Sequence, residues 1–345
     1  MMDLRSATEE EMEETARSMG EKAFRGRQLF QWIHTKGVRT FEEMTNLPAG
    51  FREALKERYI VSGVSMAGKQ VSGRGDTAKY LFALPDGNVI ESVWMRYHHG
   101  NSVCISSQVG CRMGCSFCAS TLTGLTRSLT AGEMLSQVYE IQRETGERVS
   151  HVIVMGMGEP LDNYENLLRF IRLLSDEKGL HISQRHITVS TCGLVPQIRQ
   201  LMREHLQITL AISLHAPNDE IRRKTMPVAQ SYSIDEIFAV CREYFRETGR
   251  RITFEYSMIH GVNDKEEYAG ELAGRCRGMP CHINLIPLNE VKERECRRST
   301  DADINRFKAV LEKNSINVTI RREMGGDIDA ACGQLRKKFQ ETGGI

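Results

Sequence analysis

Four thiols fall within fifteen positions of the stretch "CISSQVGCRMGCSFCAS": Cys104, then Cys111, Cys115 and Cys118 at C-x3-C-x2-C spacing. Thiolates are ligands for soft metal centres, zinc or iron–sulfur. A closed zinc site wants four ligands, usually as two C-x2-C-type pairs set apart by a spacer. Here there is one unit. Cys104, or His98 with His99, could complete a zinc site, although Cys104 lies inside a strand-like run rather than on the loop. A four-iron cluster ordinarily takes four cysteines. Three would leave one iron open to a small chelating molecule, which it could bind and supply with an electron. Cys192, Cys241, Cys276, Cys281 and Cys296 are scattered and read as core or surface residues.

A second constellation follows in "MGMGEP". It holds Gly156-x-Gly158 without a third glycine, so a dinucleotide fingerprint does not apply. The segment reads either as a strand-to-helix turn or as a backbone approach to a ligand, with Gly158 and Glu159 at its tip. Further along stand Ser190 in "ITVSTCG", Ser213, Leu214 and His215 in "AISLHAPND", and Asn289 in "IPLNE". Any one of these fits a satisfied turn residue. Their recurrence at successive strand ends points to a common ligand.

Such residues need a frame that collects strand ends. From residue 100 onward, β-rich runs alternate with amphipathic helices: "SVCIS", "HVIVMG", "HITVS", "QITLAISL", "ITFEYSMI" and "HINLIPL", with "NVTIRR" as a late addition. This alternation predicts right-handed βαβ units and a parallel sheet. The fold class is therefore α/β, either a partial (β/α)6 barrel or a doubly wound sheet. In both, functional residues sit beyond the C-terminal strand ends. Residues 1–60 read as short helices forming a small accessory domain. Residues 61–97 read as a β-hairpin extension, "KYLFAL" and "NVIESVWM" joined by "PDG", and residues 98–345 as the catalytic domain.

The totals agree with a globular enzyme. Of 345 residues 40% are hydrophobic and 26% charged, enough for a real core. The acidic, polar N-terminus resembles neither a signal nor a transit peptide. No apolar run approaches the roughly 20 residues that span a bilayer. A cytoplasmic, membrane-free monomer is expected, and ten cysteines in a reducing compartment argue against a disulfide framework. Net charge is only +1, so nothing global advertises nucleic acid. Basic groups bunch locally at Arg25/Arg27, Arg297/Arg298, Arg321/Arg322 and Lys337/Lys338. By composition these are solvated faces; in an RNA enzyme they would share a rim around the barrel mouth.

Taken together, "CISSQVGCRMGCSFCAS", "VMGMGEPLDNY", "ISLHAPND", "LIPLNEV" and "GGDIDAACGQLR" closely resemble the radical S-adenosylmethionine (SAM) enzymes that methylate adenine in ribosomal RNA. Within them, the nearest branch acts on adenine C2 in 23S rRNA and in certain tRNAs. The resemblance runs from "RGRQLFQWI" to the C-terminus. It implies a radical SAM barrel with an N-terminal helix-hairpin-helix-like module associated with RNA binding. It also implies a [4Fe-4S] cluster on Cys111, Cys115 and Cys118, and SAM held by Gly158, Glu159, Ser190, Ser213, Leu214, His215 and Asn289. Two SAM molecules are then used per turnover. One methylates Cys332; the other yields a 5′-deoxyadenosyl radical that takes hydrogen from that methyl group. Cys104 later frees the product through a transient disulfide with Cys332, and a flavodoxin- or ferredoxin-like donor restores the thiols.

Glu91, in "VIESV", matches the family's proton acceptor. Strand alternation puts it on one face with Val89, Val93 and Met95, so an apolar setting that raises its pKa is expected. A related branch methylates adenine C8, confers antibiotic resistance and carries glutamine there, so glutamate favours C2. The rival readings are that C8 branch, a radical SAM enzyme acting on a small molecule or protein, and a zinc-stabilised RNA-binding module.

Overall fold

The computed structural model describes residues 1–322, Met324 and Ile328. Cys332, Lys337 and Lys338 lie outside the described residues.

Residues 1–60 are mostly helical. A two-residue strand β1 (Met2–Asp3) pairs with β2 (Tyr59–Ile60), closing the segment into a unit with α1 (Glu9–Ser18), α2 (Phe24–Phe30) and α3 (Ala49–Arg58). Thr8 and Glu11 cap α1 reciprocally, satisfying two orphan backbone donors. After Phe30 the chain passes from α2 into a π-turn over Gln31–Thr35. Gly26 lets α1 and α2 touch, since a Cβ there would lie 2.3 Å from Glu13 Cα.

Ten strands form one open sheet among the described residues. In chain order these are β3 (Ser65–Val71), β4 (Thr77–Ala83), β5 (Val89–Tyr97), β6 (Gly100–Cys104), β9 (Val149–Val154), β10 (Ile187–Thr191), β11 (Thr209–Ser213), β12 (Ile252–Met258), β13 (Cys281–Pro287) and β14 (Val318–Ile320). A separate hairpin pairs β7 (Gln108–Gly110) with β8 (Leu125–Ser128) and brackets the cysteine loop. From β6 to β14 all neighbours are parallel and lie side by side in sequence order, without reversal. A doubly wound sheet would reverse direction at a switch point. The sequential order decides for the partial barrel.

Its helices are α4 (Ala131–Thr145), α5 (Tyr164–Ser175), α6 (Val195–Met202), α7 (Asp219–Thr225), α8 (Ile234–Thr248), α9 (Glu266–Cys276) and α10 (Asp301–Lys313). Boundaries follow local chemistry. Thr130/Glu133 and Ser233/Glu236 form capping boxes on α4 and α8. Gly146 and Gly249 end those helices in the left-handed region. None of the helices is long and apolar enough to cross a membrane, among the described residues.

The expected hairpin over residues 61–97 has three strands rather than two. β3, β4 and β5 are antiparallel, β5 pairs with β6, and so they continue the barrel sheet directly. The module docks on the outer helices: Arg5 reaches Ser136 Oγ of α4 at 2.7 Å, and His34 Nδ1 lies 2.8 Å from the Tyr139 hydroxyl.

Candidate active site

The cysteine loop runs from β7 to β8, beyond the C-terminal end of β6, and is held by backbone bonds. Cys111 N–H donates to Gly124 C=O at 3.0 Å, and Ser116 N–H donates to Thr225 C=O, at the end of α7, at 2.8 Å. Cys111, Cys115 and Cys118 line a cavity of about 260 Å3 over the strand ends. This lies near the lower bound of ordinary small-molecule sites, about 300 Å3. It admits a cofactor or a single base, not a folded polynucleotide.

Gly158, Glu159, Ser190, Ser213, His215 and Asn289 line the same cavity. Leu214 does not; it is buried in the core, and its N–H donates to Glu255 C=O at 3.1 Å. Gly158 (φ +105°) is demanded by the protein itself, because a Cβ would meet Gln108 Cβ at 2.6 Å. The close backbone approach expected there is thus made first by Gln108, whose Oε1 also accepts the Glu159 N–H at 2.9 Å. Glu159 is buried, and its two oxygens accept from the N–H groups of Leu161 (3.0 Å) and Cys192 (2.8 Å). Burial raises its pKa and those hydrogen bonds oppose the shift. Ser190 and Ser213 place their hydroxyl oxygens 3.1 Å apart.

His215 adopts φ +55°, an uncommon conformation for a side chain-bearing residue. Its Nδ1 accepts from Ser257 N–H at 2.9 Å, and burial, with help from Arg222, lowers its pKa to about 3. The ring is therefore neutral, and Nε2 carries the proton by inference from that bond. Its ring meets the edge of Phe117 at 5.0 Å.

Burial pushes the Cys111 thiol up to about 12 and raises Cys115 and Cys192 as well. Buried thiols of this kind lose their protons to a metal rather than to water. Three soft donors converge on one cavity beside an array of polar groups, a donor set that fits an iron–sulfur cluster with one iron left for a chelating ligand. The zinc alternative fares worse. His98 and His99 occupy the β5–β6 turn, at the opposite end of β6 from the cysteine loop.

Cys104 packs with Val93, Met95 and Met155, and Met155 lines the cavity. Glu91 shares that face of β5, but its surroundings are not the apolar ones expected: the fully buried Lys79 ammonium lies 3.0 Å from its carboxylate. No disulfide joins the described cysteines to one another. The basic bunches are largely occupied. Arg27 pairs with Glu13 at 2.7 Å and Arg298 with Asp301 at 3.0 Å, while Arg321 belongs to the cavity wall.

Sequence reasoning passed over Lys79, Gln108, Arg222, Glu255 and the cavity position of Cys192. Glu255 lines the cavity with a pKa raised by burial, against Arg321 and an Asn284 Nδ2 hydrogen bond of 2.9 Å. Its signal was available: an acid inside the otherwise apolar "ITFEYSMI".

Comparison with known proteins agrees with this geometry. Residues 105–273 match the radical SAM superfamily, and residues 2–61 match the ribosomal RNA large subunit methyltransferase N-terminal domain. A protein of Lachnoclostridium phytofermentans named "Probable dual-specificity RNA methyltransferase RlmN" is 56% identical over 340 residues, covering 99% of this chain and 96% of that protein. The one of the same name from Lachnospira eligens is 58% identical over 341 residues, covering 99% and 97%. A crystal structure of a radical SAM methyltransferase from Sphaerobacter thermophilus superposes with a TM-score of 0.93 at 45% identity, covering 97% of this chain and 99% of that one.

Proposed function

The chain belongs to the RlmN family of radical SAM RNA methyltransferases, and from that premise we propose that it methylates C2 of adenine. The substrates are 23S rRNA, at the peptidyl-transferase centre, and tRNA, in the anticodon loop. One observation carries the reading: a single cavity gathers the three cysteines and the polar strand-end residues, and Met155 joins it to the Cys104 and Glu91 face.

Cys111, Cys115 and Cys118 would hold a [4Fe-4S] cluster, and Gly158, Glu159, Ser190, Ser213, His215 and Asn289, which line the same cavity, would hold SAM. When bound, these cofactors supply one-electron chemistry able to take hydrogen from an unactivated methyl group. That power is needed because adenine C2 is an electron-poor carbon, a bad nucleophile toward a methyl sulfonium. Cys332 would carry the methyl group as S-methylcysteine, which implies two SAM molecules per turnover. Glu91 accepts the C2 proton once the carbon–carbon bond has formed. Cys104 then attacks the Cys332 sulfur, giving a transient disulfide and releasing methyladenine. A flavodoxin- or ferredoxin-like donor in the cytoplasm restores both thiols. Because adenine C2 is hidden while the base is stacked, the target nucleotide is exposed or flipped out to reach the site.

The test is a nuclease digest, read by mass spectrometry, of RNA treated with the reconstituted monomer, SAM and reductant. 2-Methyladenosine is expected; 8-methyladenosine would move the chain to the C8 branch. Cys332→Ala should still cleave SAM yet leave RNA unmethylated, and methylation by that variant would overturn the scheme.

A further inference from the structure

The reaction just described gives no task to Arg222, although this side chain is fully shielded from solvent beneath the cysteine loop. Its guanidinium donates to three carbonyl oxygens, those of Cys192 at 2.5 Å, Leu214 at 3.2 Å and Tyr232 at 3.5 Å. It makes no salt bridge among the described residues. The charged or chargeable groups acting on it are the thiols of Cys192 and Cys115, and then Asp219. One Asp219 oxygen is already taken up by the Ile234 N–H at 2.8 Å. A buried cation without an anionic partner costs several kcal/mol. Here three carbonyl oxygens satisfy the guanidinium's hydrogen bonds, but no carboxylate pairs with its charge among the described residues.

The helix that carries Arg222 is fastened to the thiols. Thr225, three residues on, accepts from Ser116 in the middle of the cysteine loop. Gly114 faces Pro227 so closely that a Cβ would sit 3.3 Å from its ring. Met226 lines the cavity itself. The positive charge is therefore held rigidly under the loop that presents the three cysteines.

We propose that Arg222 is the counter-charge of the iron–sulfur cluster, a positioning residue that acts through the field it sets at the three-thiolate site. The assignment rests on the functional reading above. Ligation turns neutral thiols into anions, and accepting an electron adds one more negative charge to the same volume. A fixed cation in a low-dielectric wall stabilises the reduced form over the oxidised one and so raises the reduction potential. The alternative is purely structural: the guanidinium fork ties the ends of β10 and β11 to the segment before α8.

Two variants separate these roles. Arg222→Gln keeps a hydrogen-bonding side chain and loses the charge, whereas Arg222→Lys keeps the charge and loses the fork. Each is loaded anaerobically with iron and sulfide, and the cluster's midpoint potential is read by EPR during a redox titration. Arg222→Gln should shift the reduction equilibrium at least tenfold toward the oxidised form, 59 mV for a one-electron couple. Arg222→Lys should stay near wild type. An Arg222→Gln potential equal to wild type, or an Arg222→Lys potential that falls as far as that of Arg222→Gln, overturns the assignment. Should Arg222→Gln take up no cluster, loading restored by Arg222→Lys upholds the charge role, and loading by neither overturns it. Wild-type protein that binds no iron and sulfide would sink the functional reading itself, a result distinct from a loaded cluster that ignores Arg222.

Discussion

Two places in this molecule bury an arginine beside a histidine. Where the N-terminal module sits on α4, Arg5 is fully buried and reaches Ser136 Oγ at 2.7 Å and Val38 C=O at 2.6 Å, with its guanidinium 5.3 Å from the Tyr139 ring. Its neighbour His34 has its pKa lowered to about 3, first by burial and then by Arg5. At the cavity, Arg222 stands in the same relation to His215. The difference lies in what completes each group. Arg5 ends on a hydroxyl, a carbonyl and an aromatic face, all supplied by the protein. Arg222 likewise ends on three protein carbonyls, but the thiols acting on its charge, Cys192 and Cys115, belong to residues that line the cavity. The first pair locks two parts of the chain together; the second, on the proposal above, sets the field at the cysteine site.

Breaking the cavity side has the largest expected effect. Cys118→Ala removes one of the three proposed cluster ligands, so bound iron after reconstitution should fall more than tenfold and methylation should drop below detection. Thermal unfolding of the module's seat should be untouched. A variant that keeps its iron would mean that the three cysteines are not the ligand set.

Breaking the seat should do the reverse. Arg5→Met deletes a buried hydrogen-bonding cation and is expected to cost about 2 to 3 kcal/mol in urea unfolding. Cluster content and reduction potential should not change. Loss of iron in this variant would show that the seat and the cavity are coupled.

The histidines sharpen the contrast through pH. Each has a folded pKa near 3 against 6.5 for an ordinary histidine. Between those values the unfolded chain binds more protons than the folded one, so stability falls as pH falls through that window. At pH 5.5, one unit below the unfolded value, each histidine should withdraw about 1.4 kcal/mol. His34→Phe should remove its share of this acid sensitivity and leave SAM binding alone. His215→Phe should remove its own share and weaken SAM binding as well. Acid unfolding curves with and without SAM read both effects, and a SAM affinity that follows His34 instead would undo the comparison.

How much of this was legible depended on whether a residue's setting is local. All seven strands from "SVCIS" to "NVTIRR" could be read, because each is a short apolar-rich run set apart by helical stretches. β3 escaped because "SMAGKQV" has no such run, and its pairing with β4 is interrupted by a bulge between Met66 and Gly68. The cysteine loop could be read from spacing alone. Arg222 could not. "DEIRRKT" resembles any solvated helix, and only the seating of α7 turns Arg222 inward while Arg223 stays in water. Lys79 could not be read for the same reason. It alternates with Tyr80 and Phe82 as an outward residue should, yet both faces of β4 are buried and it meets Glu91.

The smallest effect expected on stability concerns the module's outer face, where the seat's logic of closed pairing is tested against RNA. Arg27 is about half exposed and pairs with Glu13 at 2.7 Å, and Glu13 also accepts from Arg17 at 2.8 Å. An exposed pair in such a network contributes less than about 1 kcal/mol, so Arg27→Ala should barely move the unfolding midpoint. If Arg27 leaves Glu13 for a phosphate when RNA arrives, the same substitution lowers the slope of log affinity against log salt by about 0.7 to 0.9. If instead the slope is unchanged, Arg27 stays with Glu13 as Arg5 stays with its own partners. The module would then meet RNA through some other face.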